Sequence, residues 1–301
     1  MPTDPAALGV IRALLCGFVL SKILLTGFAD LGRLPTTIMR PTGAMQIIPW
    51  RFYDLLMTPT GMLAFKSLLV VSLIAATTGY LTSVSTKSAA LLFLFYEGLV
   101  RSFGLFNHDE MPMVYILVVL AFTPCGDAFS LDKRFGRRQP KPGDLIYGYP
   151  ILLMRALLAW SYFSSGLIKL RSAGLSYFNP DSLPTLAIFH SLDNLHETQF
   201  RLAFWLPQVR GLTTVAVIVV LLWEIAFPLA IFFKTARRII LVFGVLFHVS
   251  TLLFMNIFFP YHLAAYAVFV DWPRLIARIK SGRLMQRLFS PSLPPKDSIQ
   301  S

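Results

Sequence analysis

Residues 213–233 read TTVAVIVVLLWEIAFPLAIFF, an apolar run with one charged side chain, Glu224, near its middle. A helix needs roughly 20 mostly apolar residues to cross the hydrocarbon core of a bilayer. This stretch meets that length, and a charge held inside it has to be satisfied by protein or serve a function. Further runs of the same kind lie on both sides: about 8–27, 62–81, 88–105, 111–125, 151–170, 239–257 and a last one near 258–271. The expected fold is therefore all-α, a polytopic transmembrane bundle of about eight spans. The fourth run is short, and the last two nearly merge at Phe259-Pro260-Tyr261.

Composition agrees with a membrane setting. Of 301 residues 55% are hydrophobic and 14% charged, against about 25% charged in an ordinary soluble domain. The membrane domain is expected over 1–275, followed by a basic, partly disordered tail over 276–301. The opening Met1-Pro2-Thr3-Asp4-Pro5 lacks the basic start of a signal peptide, so the first run is expected to stay as a span.

The net charge of +12 does not point to nucleic acid, because the basic residues gather in short connections between apolar runs. Lys133, Arg134, Arg137, Arg138 and Lys141 occupy one, and Lys234, Arg237 and Arg238 another. Arg274, Arg278, Lys280, Arg283 and Arg287 occupy the tail. Eight spans place all three clusters on the N-terminal side, which the positive-inside rule makes cytoplasmic, beside anionic lipid. The proline- and aromatic-containing connections 28–61 and 171–212 then fall on the opposite side, as partly helical interfacial segments.

The ionisable residues within or at the ends of spans are the candidate site. Lys169 closes Tyr162-Phe163-Ser164-Ser165-Gly166-Leu167-Ile168-Lys169-Leu170; it is either a lysine reaching for the headgroups or, in dry surroundings, a usable base. Asn107-His108 sits between the third and fourth runs, on the same side as Lys169, either as a solvated turn or as an acid/base and orienting pair. His248 lies mid-span and needs a partner on another helix. Glu224 is expected to pair structurally with a cation such as Arg155 or His248. Cys16 and Cys125 form no metal or disulfide motif. The spacing of His108, Asp109, Glu110, His190 and His196 matches no ligand pattern, so no metal is expected.

At these residues the chain resembles the membrane domain of vitamin K-dependent gamma-carboxylases, the HTTM group. Pro2-Thr3-Asp4-Pro5-Ala6-Ala7-Leu8 with Arg12 is similar to the entry to that domain, and Asn107-His108 to its Asn-His pair before a span. Tyr162-Phe163 with Gly166 and Lys169-Leu170 is similar to its Tyr-Phe…Gly…Lys-Leu segment. Phe247-His248, Phe254, Phe259, Tyr261, Leu263-Ala264 and Trp272-Pro273-Arg274 follow its closing run.

The resemblance implies a vitamin K-dependent gamma-glutamyl carboxylase/epoxidase. A lysine at the Lys169 position would deprotonate reduced vitamin K or a related isoprenoid hydroquinone. Oxygen would add to give an alkoxide that removes a γ-hydrogen from a peptide glutamate, and CO2 would add to the carbanion. It assigns Lys169 and His108 as catalytic, Asn107, His248 and Tyr162 as cofactor-binding, and Glu224 and Arg155 as polar support, with the site towards the non-cytoplasmic face. Two departures stand out: the chain ends soon after Arg274, without the propeptide-recognising part of the carboxylases, and Lys169 has no adjacent second lysine. The competing expectation is a non-enzymatic HTTM protein that assists maturation or export of a partner peptide. A transporter ranks last, because no inverted repeat is visible.

Overall fold

The computed structural model describes residues 4–104, 109–141, 145–195 and 198–281, and the side chain of Lys280 is outside this set. Among the described residues the chain is helical with no strand. Its principal helices are α1 (Pro5–Leu25), α2 (Pro59–Thr78), α3 (Thr82–Arg101), α4 (Met111–Ala121) and α5 (Leu145–Ala173). After them come α6 (Ser182–Asp193), α7 (Arg210–Ala226), α8 (Lys234–Met255), α9 (Pro260–Ala265) and α10 (Trp272–Lys280).

Five helical stretches are long and apolar enough to cross a membrane: Pro5–Leu25, Pro59–Thr78, Leu145–Phe178, Leu202–Ala226 and Lys234–Met255. The other three expected spans are weaker. Helix α3 has the length, at 20 residues, but carries Lys87, Glu97 and Arg101. Helix α4 has 11 residues. The last run is α9 followed by a 3-10 turn over Tyr266–Phe269. Neither of these two reaches the length a lone helix needs. The sixth run also breaks, where Pro228 ends α7 and a single turn, Leu229–Phe232, follows.

The connections 28–61 and 171–212 are partly helical, as expected. The first holds Phe28–Leu31, two 3-10 turns and Trp50–Leu56. The second holds a 3-10 turn over Gly174–Phe178, helix α6 and a longer 3-10 segment, Leu202–Val209.

One end of the bundle is tied together by Arg12, which is fully buried. Its Nε donates to the Cys125 carbonyl at 3.2 Å. Its Nη1 donates to Ala76 at 2.5 Å and Thr77 at 3.1 Å, and Nη2 donates to Phe129. One guanidinium thus supplies donors to the open carbonyl end of α2 and to the loop after α4, carbonyls that a helix terminus cannot satisfy itself. Asp132 does the converse beside it, accepting from Leu81 N–H, Thr82 N–H and the Thr82 hydroxyl at 2.6–3.0 Å. Burial pushes the Asp132 carboxyl up, but these donors outweigh it and hold the group below its ordinary value.

Candidate functional site

Lys169 lies on the last turns of α5 and Glu224 on the last turn of α7, two helices packed side by side. Gly166 permits the approach. A Cβ there would meet Glu224 Cβ at 3.0 Å and Ile225 Cγ1 at 3.2 Å, so a larger residue would need α7 to give by a few tenths of an ångström. Across that seam Lys169 Nζ donates to Glu224 Oε1 at 2.5 Å, and Ser165 Oγ donates to the same oxygen at 3.3 Å. Glu224 is 2% exposed, and its second oxygen, Oε2, is buried without a hydrogen-bond partner among the described residues. The Lys169 side chain is 31% exposed. Its open side lines a cavity of about 480 Å³, within the range usual for small-molecule sites.

That cavity is walled chiefly by apolar groups, among them Trp205, Phe247, Phe254 and Phe259, from the 3-10 segment before α7, from α8 and from the stretch after it. Helix α6 closes one side with Leu183, Leu186 and His190. Among the described lining residues Lys169 is the one Lys, Arg, Asp or Glu. A ligand bound here would be largely hydrophobic and would meet an amine that is hydrogen-bonded to a buried carboxylate.

Beside the cavity lies a buried polar network. Tyr162, on α5 about two turns before Lys169, shares hydrogen bonds with His248 Nε2 at 2.7 Å and with the Tyr266 hydroxyl at 2.8 Å. Gly244 makes room for Tyr266, since a Cβ there would fall 2.2 Å from its hydroxyl. His262 packs against His248, with ring centroids 5.5 Å apart. Its Nδ1 lies 2.8 Å from Asp109 Oδ1, and the Asp109 carboxylate also accepts from the Tyr261 and His262 backbone N–H groups. His248 Nδ1 is buried with no hydrogen-bond partner among the described residues.

A family model described as the HTTM domain matches residues 1–272. The chain belongs to the HTTM family. No curated protein and no solved structure matches it. The HTTM domain is associated with vitamin K-dependent carboxylase-like proteins, and together with the apolar helices it makes this chain a membrane-embedded protein.

Within the HTTM domain the structure brings together Lys169 and Glu224 at the cavity, and Tyr162 with His248 behind it. Neither Tyr162 nor His248 is among the cavity's described lining residues. Two pairings expected for Glu224 are replaced by one: its partner is Lys169, not Arg155 or His248. Arg155 instead donates from Nε to the Val268 carbonyl at 2.8 Å and lies over the Phe269 ring, tying α5 to the last 3-10 turn. The reason is position: Arg155 sits nearly four turns before Lys169 on α5. Asn107 and His108 lie outside the described residues, as does His196. Of the weighed metal set, His190 lines the apolar cavity while Asp109 is held by His262. Among the described residues no three His, Cys, Asp or Glu side chains gather around a metal-sized space.

Sequence reasoning missed Asn256. This residue is fully buried in the left-handed conformation, φ +54°. Its Oδ1 accepts from the Thr198 hydroxyl at 2.5 Å and Phe200 N–H at 3.1 Å, and its Nδ2 donates to the Ser191 carbonyl at 2.9 Å. It ends α8 and pins the α6 region over the cavity. An Asn after an apolar run is a helix-stop signal, but nothing in the local sequence identifies those partners.

Proposed function

We propose that this chain is a membrane enzyme that binds a reduced isoprenoid quinone in the apolar cavity and uses Lys169 as its base. The reaction class is that of the gamma-glutamyl carboxylase/epoxidases. The observation that carries this reading is the Lys169–Glu224 pair at the edge of an otherwise apolar cavity of about 480 Å³. The lining fits such a group: aromatic and aliphatic side chains suit a ring and its isoprenoid tail, and the amine suits a ring hydroxyl. When bound, the reduced quinone would supply the electrons that O2 consumes in generating a base strong enough to remove a glutamate γ-hydrogen before CO2 adds.

The chain's own residues then have distinct tasks. Lys169 must present a lone pair to the cavity, so its proton has to reside elsewhere when the ligand binds. Glu224 is placed to hold it, being 2.5 Å away with Oε2 still free. Ser165 keeps the carboxyl turned towards Lys169. Phe247, Phe254 and Phe259 keep bulk water from the reacting atoms, without which a strong base would be quenched. Tyr162 and His248 hold α5 to α8, fixing the seam on which Lys169 stands.

In this reading the chain crosses the bilayer eight times, with the short α4 and the α9 segment shielded by their longer neighbours. The basic connections face the cytoplasm, and α6 and its flanking 3-10 segments lie at the opposite interface over the cavity. The acceptor is a glutamate-containing peptide or protein.

The test is epoxide formation by purified protein in nanodiscs, supplied with reduced menaquinone or vitamin K and O2, with and without a glutamate peptide and bicarbonate. Wild-type protein is expected to form epoxide and Lys169→Ala to form almost none. Equal consumption by both would sink the proposal, and no turnover by either would favour a non-catalytic role in partner-peptide handling.

A further inference from the structure

Two cavities meet at one short segment. Past Asn256, residues 257–259 lie outside regular helix until α9 starts at Pro260. Ile257 and Phe259 line the apolar cavity, whereas Phe258 and Pro260 line a second cavity of about 330 Å³. Successive side chains of this segment thus fall to different cavities, and residues 257–260 form part of the wall between them.

The second cavity is of opposite character. Lys22 and Thr26 from the end of α1, Tyr96, Glu97 and Arg101 from α3, then Asp109, Glu110 and Tyr261 contribute polar groups. Asp109 is already committed to His262 and to two backbone N–H groups. Glu97 is not: it is 4% exposed and its carboxyl makes no hydrogen bond among the described residues, with Arg101 as the cation beside it and Glu110 as a neighbouring carboxyl. A buried carboxylate without a hydrogen-bond partner is costly, and natural sites supply one. Lys22 lines the same cavity, half-buried, and among the described residues its amine makes no hydrogen bond and is not paired to Glu97. An unspent acid and an unspent base on one small cavity call for a ligand that carries both charges.

We propose that this cavity is a binding site for a small zwitterion, a free amino acid, whose ammonium meets Glu97 and whose carboxylate meets Lys22. The apolar cavity cannot take such a ligand, because the charged residue on its lining is already paired and the rest would leave the ligand's charges bare. The two cavities then hold a hydrophobic and a polar reactant on either side of residues 257–260. That coupling rests on the function proposed above; the binding itself does not.

The test uses the full chain in nanodiscs with no quinone present, and reads affinity by calorimetry or saturation-transfer NMR. The probes are L-glutamine, N-acetyl-L-glutamine, which lacks the ammonium, and L-glutamine amide, which lacks the carboxylate. L-Glutamine is expected to bind, and each derivative to bind at least about tenfold more weakly, the loss of one charge-assisted contact. Glu97→Gln is expected to weaken L-glutamine by a similar factor and Lys22→Gln by somewhat less. Phe258→Trp, at a side chain 47% exposed, should narrow the cavity and block binding. Should Glu97→Gln fail to fold, the other two variants and the probe series still decide the matter. Equal affinity for all three probes, no L-glutamine binding at millimolar concentration, or unchanged affinity in both Lys22→Gln and Phe258→Trp would overturn the site. L-Glutamine binding that survives in Lys169→Ala, alongside absent quinone turnover in wild type, would retain the site and remove only its coupling to the quinone.

Discussion

Arg12 and Lys169 are both cations set into apolar helices, and the structure treats them in opposite ways. Arg12 is fully buried, and three of its nitrogens donate to four carbonyls of two chain segments. Its hydrogen-bonding capacity is spent on the protein, and it touches no cavity described here. Lys169 makes one bond, to a carboxylate whose other oxygen is free, and its remaining surface opens into a cavity. The lesson is that an intramembrane charge is not a functional signal by itself. What separates support from chemistry is how many of its hydrogen bonds remain unspent and whether they face space.

Substitutions can break this contrast, and the largest effect belongs to Lys169. Removal of a general base costs about 10²–10⁴-fold in rate, so Lys169→Ala should abolish measurable quinol turnover, and Lys169→Ala/Glu224→Gln, which leaves no bare buried carboxylate, should be as inactive while its thermal unfolding stays close to wild type. A large loss of melting temperature instead would make Lys169 a structural residue like Arg12. Arg12→Met should do the reverse. Each buried carbonyl left without a donor costs about 1–3 kcal/mol, so the variant should melt at least about 5–10 °C lower in detergent. What folds should keep its affinity for quinone, and a stable Arg12→Met would break the comparison.

Smaller effects sharpen it. Asp132 caps α3, and a lost cap costs about 0.5–2 kcal/mol, so Asp132→Asn should melt slightly lower at neutral pH. Because its folded value is depressed, its contribution is present above the unfolded value near 4 and disappears as pH falls through the folded one. Melting curves of wild type and Asp132→Asn should therefore converge at acid pH; a constant gap across pH would rule out the charged cap. Least of all, Tyr162→Phe removes two hydrogen bonds while leaving the ring stacked on Phe227. About 1 kcal/mol of stability should go, with turnover lowered by a few-fold at most. A loss as deep as that of Lys169→Ala would move Tyr162 from support into the chemistry.

The helices were legible in the sequence where one local property decides them. Runs such as 8–27, 62–81 and 213–233 contain helices because every backbone group in lipid must be satisfied within its own segment. Length and apolarity suffice to find them. The run near 258–271 was legible as apolar but not as a short helix with a 3-10 ending, since that shape depends on Arg155 reaching Val268. The site divides in the same way. Lys169 and Glu224 were each visible as costly charges, yet their pairing joins residues 55 apart in sequence, and Gly166, which lets them meet, reads locally as any glycine in a helix. Glu97 was passed over because it stands near the end of a run that starts just after Lys87 and holds Arg101, where another charge attracts no notice.

The partition at 257–260 carries one more consequence, for which changes this chain can survive. A side chain there can be enlarged or trimmed with graded effect, since only one cavity feels it. Loss or gain of a single residue between Asn256 and Pro260 is different in kind. It would shift by one position the side chains that follow within this segment, up to the start of α9 at Pro260, setting Phe258 towards the hydrophobic chamber and Phe259 towards the charged one. Segment length here works as a parity check: substitutions tune each compartment, while an insertion or deletion exchanges their linings at a stroke.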